Sequence, residues 1–221
     1  MKFWRQCFWV LLSSAFVCFV QAESSDGATA GDSSVNAMLL KMQGIEQSPL
    51  EKQAALEQGK DRALLCFRCH GEDGNSLRDY IPNLASQNAA YLFTQFEKFA
   101  NGQRENYVMS KIAPSLTTDE RIAIAVYFAD KPVLSRAQGV MPDAKGKKVY
   151  DSLCYACHGT AGHGDQQYPR IAGQPYVFLE KTLLSFKNND PQRRNSPMTG
   201  VIQNLTEEDL RAVASWVSNL P

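Results

Sequence analysis

Apolar positions recur at helical spacing along most of the chain. Leu92, Phe96 and Phe99 stand at i, i+4 and i+7, one face of a helix that Gly102 can stop. Ile122, Val126 and Ala129 make a second stripe. Thr117 and Glu120 open that helix at capping-box spacing, and Pro132 closes it. Thr206 and Asp209 repeat the box, with Asp in place of Glu. Further helices are expected from about Pro49 into Cys66 and from about Asp143 into Cys154, and Pro175 suits the start of another. The pattern predicts an all-α chain.

The N-terminal stretch follows a different rule. An apolar run from about residue 7 to residue 20 follows Lys2 and Arg5, and Val20-Gln21-Ala22 offers small residues to a signal peptidase. Residues 1–22 therefore read as a cleaved secretory signal, with an uncleaved anchor as the alternative. The run is short for a membrane span. Cys18 raises a lipoprotein reading, against which Val17 is too large for the preceding position. Cys7 and Cys18 then leave with the signal. Residues 23–48 read as a leader, flexible over its Ser-, Gly-, Ala- and Asp-rich part at 23–36. Met38, Leu39, Leu40 and Met42 there are expected to begin a short helix and to pack.

The rest of the chain is written twice. Cys66 recurs as Cys154, 88 residues later. Pro82-Asn83-Leu84-Ala85-Ser86-Gln87 recurs as Pro169-Arg170-Ile171-Ala172-Gly173-Gln174. Arg104, Asn106 and Met109 recur as Arg193, Asn195 and Met198, and Ala125-Val126-Tyr127-Phe128 as Ala214-Ser215-Trp216-Val217. Two tandem domains follow, at 49–133 and 134–221, joined by a linker at about 131–142. Each is small enough to be short of apolar surface to bury.

Composition narrows the function. The chain has 23 basic and 23 acidic side chains; loss of Lys2 and Arg5 leaves 21 against 23, a net charge of −2. That balance argues against nucleic-acid binding, which wants a clustered basic face. Without the signal, four cysteines remain, none of them outside the two motifs described next.

Those motifs are Cys66-Phe67-Arg68-Cys69-His70 and Cys154-Tyr155-Ala156-Cys157-His158. Each is a C-x-x-C-H run, the attachment signature of c-type haem. Two thiols add to the two vinyl groups, and the adjacent histidine is delivered to the iron. A redox dithiol or a zinc site shared between the cysteine pairs are the rival readings. Duplication in an exported chain, with a histidine beside each pair, favours two covalently bound haem c groups.

The second axial ligands must be sought elsewhere. Beyond His70 and His158 the chain has one histidine, His163, in a glycine-rich loop without a counterpart in the first copy. It reads as a solvent-facing loop residue that could modulate the second haem. Met109 and Met198 are the repeat-related methionines, each before the last helix of its copy, and a thioether opposite histidine favours reduced iron. They are the expected axial partners of His70 and His158. Met141 has no counterpart and reads as packing. The carbonyls of Pro82 and Pro169 are candidate acceptors for the ligating imidazoles, or else simply rigid turns. Arg104 and Arg193 could meet haem propionates or be surface charges.

These elements resemble the cytochrome c4 type, two class I cytochrome c domains in tandem, over about residues 50–221. The matching residues are Cys69-His70-Gly71 and Cys157-His158-Gly159, Pro82 to Ala85, and Ser196-Pro197-Met198-Thr199-Gly200. The first copy departs in having Val108 before Met109. The resemblance implies a periplasmic dihaem electron carrier, peripherally associated with the membrane, that takes electrons from an upstream donor and feeds a terminal oxidase. A cytochrome subunit of a larger dehydrogenase, and a dihaem enzyme such as a peroxidase, are the alternatives. An enzyme would need an open sixth position at iron, which paired methionines oppose.

Overall fold

The computed structural model describes residues 30–134, 139–193 and 196–221. The expected signal at 1–22 and residues 135–138 of the expected linker lie outside them.

The described residues are helical, without a strand. Helix α1 spans Ala30–Gln47, α2 Pro49–Arg62 and α3 Leu64–His70. Ser48 caps α2 by accepting the Glu51 N–H, and Pro49 sits where a helix has no use for an N–H. After a loop come α4 (Ala89–Ala100), the one-turn α5 (Met109–Ile112) and α6 (Thr118–Ala129). The second half repeats the order with α7 (Ala144–Val149), α8 (Tyr155–His158), α9 (Tyr176–Lys187), α10 (Met198–Val201) and α11 (Glu207–Ser218). A π-helical turn at Tyr150–Cys154 joins α7 to α8, so this helical run reaches His158. Both capping boxes form, each with the hydroxyl and the carboxylate bonded to opposite backbone N–H groups.

The leader departs from the sequence reading. The short packing helix expected from Met38 starts earlier, at Ala30 within the stretch read as flexible, and runs to Gln47 as α1. Its apolar residues Val35, Met38, Leu39, Met42 and Ile45 fall at i, i+3, i+4, i+7 and i+10, a stripe that lies on the core of the first half. Met42 is buried, and Lys41 adds an ion pair to Asp119 at 2.7 Å. The Ser- and Gly-rich composition hid this because packing, rather than propensity, holds the helix.

Helix α2 crosses α6, and α7 crosses α11, at a glycine. A Cβ on Gly59 would run into the Ala123 carbonyl, and one on Gly146 into the Ala212 carbonyl. The first half encloses a single apolar cluster that includes Phe93, Phe96, Phe99, Ile122 and Phe128. The second half has two clusters: Tyr150, Leu179, Val213, Ala214 and Val217, and separately Phe186, Ile202 and Leu210.

The halves meet through their proline loops. Gln87 and Gln174 reach across to backbone of the opposite loop, and Asn88 Nδ2 donates to the Tyr168 carbonyl at 2.7 Å.

Candidate functional site

Each C-x-x-C-H run ends its helix on its histidine. Gly71 and Gly159 follow at φ 83° and 75°, a backbone state that a side chain resists, and so turn the chain away just past the imidazole. His70 and His158 are buried. The Nδ1–H of His70 donates to the Pro82 carbonyl at 2.9 Å, and that of His158 to the Pro169 carbonyl at 3.0 Å. The carbonyls are held in place by equivalent turns: Gly74 accepts from the N–H groups of Leu84 and Ala85, and Gly162 from those of Ile171 and Ala172. Of the two readings of these prolines, the acceptor is the one realised. With Nδ1 carrying the proton, Nε2 keeps its lone pair for a metal. Burial holds both imidazoles below their ordinary pKa, against the opposing pull of the proline carbonyls.

Among the described residues no two cysteines pair as a disulfide. Burial pushes Cys66 and Cys154 up to about 11, the reverse of what an activated redox dithiol requires. Among the described residues, no three of His, Cys, Asp and Glu converge as they would around zinc.

Met109 and Met198 each stand first in a one-turn helix, half-buried at the margin of an apolar cluster. Asn106 fixes the first by accepting the Met109 N–H, and Ser196 the second by accepting the Met198 N–H. Cys154 edges one cluster of the second half and Met198 edges the other. A flat apolar group attached at the cysteine and ligated at the methionine would join the two into one core, which fits haem.

Charged groups fit it too. Arg104 lies over the Phe99 ring at 4.5 Å and donates to Gln95 at 2.6 Å. Arg193 lies over Phe186 at 5.5 Å and donates to Thr182 at 3.3 Å. Burial, then the nearby Arg104 charge, holds Arg193 down to about 10. Two neighbouring half-buried guanidiniums call for anions such as propionates. Arg170 keeps a buried Nε that has no partner. His163 is exposed and bonds the Pro221 carbonyl at 3.1 Å. Met141, expected as packing, is 85 % exposed, and its carbonyl accepts from the Ser215 hydroxyl.

Sequence reasoning missed Gly59, Gly146 and the role of the two glutamines. Gln87 and Gln174 were in the repeat, but only the folded loops show that they face one another.

The Cytochrome c family model matches residues 144–221. The chain is 31 % identical to a cytochrome c4 of Thiocapsa roseopersicina over 171 residues, covering 71 % of this chain and 87 % of that protein. It is 30 % identical to a thiosulfate dehydrogenase electron acceptor of Stutzerimonas stutzeri, covering 84 % and 92 % respectively. The crystal structure of reduced cytochrome c4 from Pseudomonas stutzeri superposes with a TM-score of 0.67 at 25 % identity, over 75 % of this chain and 98 % of that one. With two repeat-related class I domains around them, two covalently bound haem c groups and one-electron transfer follow, and the chain belongs to the cytochrome c4 family.

Proposed function

We propose that this chain is an exported periplasmic carrier that takes single electrons from an upstream redox protein and passes them toward a terminal oxidase. In this reading Cys66 and Cys69 attach one haem, and Cys154 and Cys157 the other. His70 with Met109, and His158 with Met198, are the axial ligand pairs. Bound haem iron supplies a one-electron ferrous–ferric couple.

The observation that carries the reading is the duplicated imidazole–proline bond, 2.9 and 3.0 Å, together with a methionine at the head of the equivalent one-turn helix in each half. A histidine oriented by its second nitrogen presents the first to iron without reorganisation. Met109 and Met198, each pinned by a backbone bond at the head of a helix, would supply the second ligand to the iron. Two strong ligands leave no vacancy for substrate, which favours a carrier over a dihaem peroxidase.

In Met109→Ala or Met198→Ala, one of the two haems should lose its methionine ligand-field signature, and its potential should fall. An unchanged spectrum in either variant would refute that ligand. A second reading makes the donor a sulfur-oxidising dehydrogenase in a stable complex, favoured by the likeness to a thiosulfate dehydrogenase electron acceptor. Co-purification from membranes at low salt decides between them: a dehydrogenase that stays bound through size exclusion supports the complex.

A further inference from the structure

One peptide group in each half bonds on both sides. The Pro82 carbonyl accepts from Nδ1 of His70 at 2.9 Å, while the N–H of the same peptide, on Asn83, donates to Oε1 of Gln174 at 2.9 Å. In the other half the Pro169 carbonyl accepts from Nδ1 of His158 at 3.0 Å, and the Arg170 N–H donates to Oε1 of Gln87 at 2.8 Å. Each glutamine then closes a ring. Gln174 Nε2 donates to the Asn83 carbonyl at 2.9 Å and Gln87 Nε2 to the Arg170 carbonyl at 2.7 Å. This double bracket leaves one orientation for each side-chain amide, because a backbone N–H only donates and a carbonyl only accepts. Asn83, Gln87, Arg170 and Gln174 are all at most 8 % exposed.

The arrangement is crossed: each glutamine belongs to one half and serves the histidine of the other. We propose that Gln174 sets the donor strength of His70, and Gln87 that of His158, so that each domain adjusts the reduction potential of its neighbour's haem. The inference rests on His70 and His158 being axial ligands, as proposed above. When the glutamine oxygen accepts a peptide N–H, the peptide polarises and its carbonyl oxygen gains negative charge. The imidazole Nδ1–H is then drawn harder, and Nε2 becomes a stronger donor, which favours ferric iron. The glutamine brackets are buried and the imidazole–proline bonds partly so, which limits screening by water. Gln87 and Gln174 are positioning residues: neither touches iron, and each acts through a peptide and a ring.

Gln174→Met and Gln87→Met keep approximate volume and remove the amide. Redox titration followed at the resolved haem methyl resonances reads each haem separately. Gln174→Met should raise the potential of the first-domain haem by about threefold in the reduction equilibrium, roughly 30 mV for one electron. The second-domain haem should move less than half as far, and Gln87→Met should reverse the pattern. In the reduced protein the His70 Nδ1–H resonance should shift upfield in Gln174→Met alone, and that of His158 in Gln87→Met alone. Gln174→Glu guards against a variant that merely loosens the interface. Ionised or protonated, it keeps an oxygen facing the Asn83 N–H, so the first-domain potential should stay at or below the wild-type value. Equal shifts at both haems, a shift confined to the glutamine's own domain, or none would overturn the proposal. The axial-ligand reading fails separately, if the reduced wild type lacks ring-current-shifted imidazole resonances from His70 and His158.

Discussion

The two halves bring the same groups to their haem sites and surround them differently. Phe93 in the first half is fully buried in the cluster that includes Met42 of α1. By the spacing that relates Leu92 to Leu179, its counterpart is Glu180, which is half-exposed. The first half thus has an apolar face on α4 that needs a cover, and the stripe on α1 supplies it. The second half puts a charge there. The loop after each C-x-x-C-H histidine shows the same freedom. Tyr127 of α6 donates its hydroxyl to the Glu72 carbonyl at 2.9 Å. Its counterpart in the repeat is Trp216, and Tyr150 of the π-helical turn donates to the Gly159 carbonyl instead, at 2.5 Å. What stays fixed between the copies is the motif histidine on its proline carbonyl and the methionine at a helix head. What packs behind them has found two solutions.

The largest expected effect breaks that asymmetry. Phe93→Ala removes a fully buried ring under α1 and should cost about 3–5 kcal/mol. The loss should fall on the first half, seen as early melting in hydrogen exchange of α1, α4 and α6. Glu180→Ala should change stability by less than about 0.5 kcal/mol. Equal losses in the two halves would mean that α1 is not a specific cover.

Gly59→Ala and Gly146→Ala test what the halves share. Alanine would gain about 1 kcal/mol in helix propensity, but its methyl group meets the backbone carbonyl of Ala123 or Ala212, which cannot swing aside. The net loss should be about 2–3 kcal/mol in each half, measured by denaturant unfolding of the holoprotein. A neutral result at one glycine would show that its helix crossing can open at no cost.

Both comparisons also mark what the sequence made legible. The capping boxes were readable because Thr117 and Glu120 bond within one turn, and the haem sites because C-x-x-C-H is local chemistry. The repeat brought Met109 and Met198 to notice together. Gly59 and Gly146 were not legible, since a helical glycine is explained only by the distant backbone it meets. The early start of α1 was missed for a related reason: Val35 signals a helix only once there is a face for it to cover. The crossed glutamines needed two loops, more than 80 residues apart, to be seen against each other.

The smallest effect concerns the capping boxes themselves. Thr117→Ala and Thr206→Ala should each cost about 1 kcal/mol. Their acid sensitivities should differ. Bonds from the Thr117 backbone N–H, then Arg62, hold Glu120 below the usual carboxylate range. Asp209 is held lower still, first by the Thr206 hydroxyl and then by the Lys145 ammonium at 2.9 Å. A carboxylate depressed by folding contributes stability above its unfolded pKa, near 4, and loses that contribution as pH falls through the folded value. Going down from about pH 4, the start of α6 should therefore fray before the start of α11, since Lys145 keeps the second box ionised longer. Amide exchange at Glu120 and Asp209, followed across that range, reads the order directly. In Lys145→Met the gap between the two should narrow; simultaneous fraying in the wild type would show that Lys145, on a solvent-exposed pair, is screened too well to matter.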